Sequence, residues 1–178
     1  MNNTSTKKLI TGAFCAALCV VLPMTFHAIP NAGSIFLPMH IPVLLCGFLC
    51  GWPYGLACGL LGPCLSSLIT GMPPAAILPS MVCELAAYGL ITGFLSRRVR
   101  TGKPLADLYI TLLAAMAGGR IFYGALNALI FRAGAYSLEL WLGAALTTAL
   151  PGIAIQLVLI PALLTALERS GMASVSQA

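Results

Sequence analysis

Charge is what this chain of 178 residues has least of. Only 7% of its residues are charged and 60% are hydrophobic, against roughly 25% charged in an ordinary soluble domain. That excludes a water-soluble globule and makes the chain an integral membrane protein, with lipid as the solvent of most of its surface. Acidic residues number four, and Asp107 is the sole aspartate, which excludes multi-aspartate metal chemistry. The nine Lys and Arg give a net charge of +5, but all except Arg120 sit in loops or at span ends, so no nucleic-acid surface is implied. The length allows one domain, residues 1–178.

Several enzyme signatures are absent. There is no GxxxxGK[ST]; the single Gly-Lys, Gly102-Lys103-Pro104, lies in a loop, so ATP phosphates are not held in the P-loop manner. There is no GxSxG elbow and no HExxH. Ser66 or Ser67 could be paired with His40 in an intramembrane hydrolase, but no orienting third group is in sight. The seven cysteines form no CxxC. Those in i,i+4 pairs, Cys15/Cys19 and Cys46/Cys50, lack matching histidines, so they are read as small buried apolar residues and no metal site is expected. Inverted repeats, a transporter hallmark, are not visible.

What is present is a series of apolar runs, giving an all-α protein of six transmembrane helices. The expected spans are 9–27, 35–51, 55–70, 75–96, 105–131 and 138–167, near the ~20 residues that cross a ~30 Å core. The first run could pass for a signal peptide, but five more follow and no small-x-small cleavage site ends it. Gly12/Ala16 and Ala13/Ala17 put small residues on one face of it, where another helix can approach closely. Trp52-Pro53-Tyr54 reads as a tight interfacial turn, and the last span as one long helix bent at Pro151 and Pro161. Lys7, Lys8, Arg97, Arg98, Arg100, Lys103 and Arg169 share one side, leaving Arg132 on the other. The positive-inside rule then puts both termini in the cytoplasm.

The second span opens with Leu37-Pro-Met-His-Ile-Pro-Val-Leu-Leu-Cys-Gly47. Pro38 and Pro42 each remove a backbone donor, and freed backbone groups in lipid need partners inside the protein. The segment therefore faces other helices or a wet cavity, and His40 is a candidate functional group by default. At ~1.5 Å per residue, Glu84 lies roughly 13 Å from the outer end of the fourth span, and Arg120 on the order of 10 Å below the outer surface. His40 is about one turn in. Tyr88 and Ser80 flank Glu84 at i±4, Tyr123 and Asn127 follow Arg120, and Gln156 is expected to lie deeper. The charges form either a structural ion pair or the wall of an outward-facing polar cavity, and both can hold at once.

Taken in order, the small-residue strip, the Leu37–Gly47 segment, Gly51-Trp-Pro-Tyr-Gly55, Leu68-Ile-Thr-Gly-Met-Pro73, Gly119-Arg-Ile-Phe-Tyr-Gly124 and Pro151-Gly-Ile-Ala-Ile-Gln156 resemble the substrate-binding S-components of energy-coupling factor (ECF) vitamin transporters. The resemblance covers nearly the whole chain. It implies capture of a vitamin or related precursor near the outer surface of a bacterial cytoplasmic membrane. Delivery inward would use a membrane coupling protein and two ATPase subunits; those partners consume ATP, and this chain binds no cofactor. It implies binding residues Asn31, Phe36, His40, Glu84, Tyr88, Arg120, Tyr123, Asn127 and Gln156. Docking of the coupling protein would fall on Gly12, Ala13, Ala16 and Ala17. The ligand stays open: Arg120 suits a carboxylate or phosphate, and Glu84 an amine or ring N–H. Aromatics at 8% disfavour a large flat ring held between several side chains. The competing reading is a membrane scaffold or intramembrane enzyme with no transport role.

Overall fold

The computed structural model describes residues 3–26, 32–131 and 136–171, and its elements among these are all helical. Asn31 and Arg132, which figure in the readings above, lie outside the described residues. The helices are α1 (Asn3–Thr25), α2 (Ala32–Phe36), α3 (His40–Cys50), α4 (Trp52–Thr70), α5 (Leu78–Leu95), α6 (Pro104–Leu126), α7 (Leu138–Leu142) and α8 (Leu150–Arg169). π-Helical turns at Asn127–Phe131 and Gly143–Thr148 extend α6 and α7. Six segments are long and apolar enough to cross a membrane, α2 and α3 counting together as one.

α3 is the centre of the bundle. Nine of its residues are buried, His40 through Cys50 with Ile41 and Leu49 excepted, and it packs against α1, α4, α5 and α8. Its two prolines are accommodated by position. Pro38 falls in the break between α2 and α3, where Leu37 takes a left-handed φ of 51° and its carbonyl accepts from the His40 amide at 3.1 Å. Pro42 falls in the first turn of α3, where an amide would have no helical acceptor in any case.

α4 and α5 meet backbone to backbone. A Cβ on Gly89 would lie 2.1 Å from the Gly55 carbonyl oxygen, and one on Gly59 would lie 2.3 Å from that of Leu85. In lipid, where apolar side chains gain nothing by leaving their solvent, such close approach is a principal source of helix association. The thiols of Cys15, Cys19, Cys46, Cys50 and Cys58 are buried among α1, α3 and α4, all free, with Cys19 and Cys58 Sγ 4.0 Å apart.

Two of the expected boundaries are corrected. Trp52-Pro53-Tyr54 is not a turn but the first turn of α4, because Pro53 is tolerated there; the chain reverses at Gly51 alone, with φ 91°. The last span does not start at 138. Its spanning helix is α8, from Leu150, and Pro151 lies in its first turn. Without an amide, Pro151 can end the preceding ladder and begin a new one at no cost. Pro161, by contrast, stays inside α8.

Candidate functional site

Pro79 stands in the first turn of α5, and from there Ser80, Glu84 and Tyr88 follow at i,i+4 on one buried face. The Ser80 hydroxyl is spent locally, donating to the Ile77 carbonyl at 3.0 Å. Glu84 looks across to α6, where Arg120 follows Gly119. The missing Cβ of Gly119 is what admits the Tyr88 ring: a Cβ there would lie 2.5 Å from the ring carbons. With α5 and α6 this close, Arg120 Nη1 reaches Glu84 Oε1 at 3.0 Å. His40, first residue of α3, brings Nε2 to 3.6 Å from the same oxygen. Its ring stands edge-on to Tyr88, centroids 4.9 Å apart at 87°. Three helices thus place an acid, a base and an imidazole together, at the common depth that helix rise alone required of Glu84 and Arg120.

The cluster is closed and undersatisfied. His40 and Glu84 are 1% and 4% exposed. The Glu84–Arg120 contact is a charge contact without hydrogen-bond alignment at Oε1, and Arg120 Nε and Nη2 and both His40 nitrogens have no hydrogen-bond partner. Each buried polar group left so costs about 1–3 kcal/mol. Gln156 is fully buried, with both amide atoms likewise unpartnered. Because α8 starts at Leu150, Gln156 is six residues into its helix, as Glu84 is from Leu78. It is therefore less than two turns into its helix, where a helix starting at 138 had implied about five.

The remaining candidates take other places. Asn127 is buried at the start of the π-helical turn after α6, its amide donating to the Tyr123 carbonyl at 2.8 Å. Phe36 ends α2 and stacks on Phe26, centroids 5.3 Å apart. Gly152 lets that short helix rest on α8, since a Cβ there would lie 2.7 Å from the Ile35 carbonyl oxygen. Trp141 was not foreseen: its indole donates to the Arg120 carbonyl at 3.0 Å, its ring fitting against Gly124. The signal was a tryptophan in an apolar segment, whose N–H needs a partner.

Two cavities lie elsewhere. One of about 240 Å³ lies between α1 and α8 on the flank of α3, lined by Leu18, Leu22, Pro42, Leu45 and Leu159. Another, of about 320 Å³, is lined by Phe48, Arg100, Asp107, Thr111 and Glu168 at the opposite, cationic end. Neither includes His40, Glu84 or Arg120. The strip on α1 also divides. Ala13 and Ala17 are exposed, whereas Gly12 faces Tyr54 and Ala16 packs on the core. Gly12 and Ala16 are internal packing positions, because residues one apart on a helix point about 100° apart.

A bundle of six spanning helices that draws a histidine, a glutamate and an arginine into its apolar interior defines a multi-pass membrane protein built around a polar centre. The family model for the ECF transporter substrate-specific component matches residues 7–164, and the chain belongs to that family. No curated protein and no solved structure matches it.

Proposed function

We propose that this S-component captures a small water-soluble vitamin or related precursor from outside a bacterial plasma membrane and passes it inward with a coupling protein and two ATPases. The observation that carries the reading is the set of buried, unpartnered polar atoms on Arg120 and His40, brought together on Glu84 from α6 and α3, with a further buried and unpartnered amide at Gln156 of α8. A lipid-embedded fold has little reason to keep such groups unless a ligand or water completes them. Tyr88 walls the site through its contact with His40. Tyr123, Asn127 and Phe36 are assigned to its outer rim, and Asn31, outside the described residues, is kept as a binding residue on the family resemblance alone. The π-helical turns that adjoin α6 and α7 agree with a functional region at this end.

The orientation rests on the cations. Cys50 Sγ donates to the Lys8 carbonyl at 3.5 Å and Arg97 Nη2 donates to the Cys50 carbonyl at 3.2 Å. These bonds gather the start of α1 and the ends of α3 and α5 at one face, which the positive-inside rule makes cytoplasmic. A cysteine at position 72 is expected to react with a membrane-impermeant maleimide on intact cells, and one at position 100 only after permeabilisation. The reverse pattern would turn the site inward.

Thermal-shift measurement of purified protein against water-soluble vitamins tests the binding role. A ligand at 100 times its Kd adds about 2.7 kcal/mol. The direct Glu84–Arg120 contact favours the rival reading, a scaffold whose charges only join helices, and that reading expects no shift with any of them. Docking is assigned to the exposed Ala13 and Ala17. Ala13→Trp or Ala17→Trp is expected to leave ligand binding unchanged and to reduce uptake in the presence of the energising module at least tenfold. Uptake at the original rate would remove that assignment.

A further inference from the structure

Resting on the reading of this cluster as the binding site, we infer that the ligand carries a carboxylate and that the Nε–Nη2 edge of Arg120 receives it. A guanidinium presents planar pairs of N–H groups that match the two oxygens of a carboxylate. Glu84 Oε1 faces Nη1 at 3.0 Å, so a second carboxylate on the edge that Nη1 shares with Nη2 would meet a like charge. The edge left is formed by Nε and Nη2, and both are buried with no hydrogen-bond partner. The Trp141 indole holds the Arg120 carbonyl at 3.0 Å, and Gly119 seats the Tyr88 ring beside it. The backbone that carries the guanidinium is thereby fixed from two sides.

The Arg120 side chain is short of acceptors. Its Nε and Nη2 are unpartnered, while the one carboxylate in the cluster, Glu84, already lies against Arg120 Nη1 and His40. A ligand that brings two acceptor oxygens in one plane satisfies both free donors of that edge. Charge selects within the anions. Glu84 already offsets Arg120, and the other cations of the described spans lie near the opposite end, so any bound anion leaves net negative charge: one unit for a carboxylate and two for a phosphate dianion, which makes the carboxylate the less costly of the two.

The test uses the purified full chain and paired probes: pantothenate with pantothenol, biotin with its methyl ester, nicotinate with nicotinamide. At least one acid is expected to bind, and its neutral counterpart at least 100-fold more weakly. Arg120→Lys keeps a cation for Glu84 but lacks the fork, and is expected to weaken that acid at least tenfold and shrink the difference between acid and neutral form. The acid–neutral comparison on the unaltered protein needs no variant to fold. A neutral compound that binds as tightly as its acid overturns the carboxylate assignment and leaves the binding role standing. If none of these probes binds and no small molecule copurifies, the reading of the cluster as a binding site falls, and this inference with it.

Discussion

Glu84→Ala is expected to destabilise the protein by about 3–5 kcal/mol, the range for removing one partner of a buried ion pair. Arg120 has a side chain only 13% exposed and loses the carboxylate at 3.0 Å, leaving a cation in the bilayer interior. Denatured helices that stay in the membrane also find polar partners, which pulls the value toward the lower end. Denaturation in detergent micelles, followed by circular dichroism, measures it. The companion variant replaces both charges, Glu84→Met with Arg120→Leu. Apolar residues of similar volume commonly restore or exceed the stability of a buried pair, so this double variant is expected to regain most of the loss and to bind no vitamin. Full binding by the double variant would end the site assignment, and a single-variant cost under about 1 kcal/mol would place the pair in a wetter setting than its burial indicates. Arg120→Ala is expected to lower binding more than protein yield; equal loss of both would make the pair structural alone.

Gly89→Val carries the second large effect. A Cβ at 89 would lie 2.1 Å from the Gly55 oxygen and 3.0 Å from its Cα. Those atoms are backbone on a packed helix, so no side chain can rotate away to make room. Overpacking costs about 1–3 kcal/mol where side chains can adjust, and more where they cannot; here the expected cost is at the top of that range or above. α5 would be driven from α4 at the turn just after Glu84, so ligand binding should fall with stability. Gly143→Ala is the control, since a Cβ there meets nothing within 4 Å, and it should be neutral. A Gly89→Val protein as stable as that control would show that α4 and α5 do not meet as described.

Much of this architecture was legible without coordinates. Charge at 7% leaves a chain no solvent but lipid, and lipid permits helices whose lengths can be counted. Counting then puts Glu84 and Arg120 at one level, and burial cost demands that they find partners. The same reasoning could not say which neighbours α5 and α6 would choose, since membrane helices carry their polar groups on narrow faces and the rotation of each is set by packing. His40 shows the limit. Its sequence marks it as an ionisable group between two prolines, but its approach to Glu84 depends on the break at Leu37, which starts α3 at His40 itself.

The boundaries misjudged from sequence share a cause. Pro53 and Pro151 were read as breaking or bending residues, but each stands in the first turn of a helix, where a missing amide is harmless. Composition and periodicity register that a proline is present, not on which side of it the helix forms. Family, class and the shared level of Glu84 and Arg120 were therefore decided by residue type and order. The closure of that cluster, the free edge of Arg120, the support from Trp141 and the inward turn of Gly12 and Ala16 were decided by packing. Each depends on the distance and rotation between helices, which no single helix encodes.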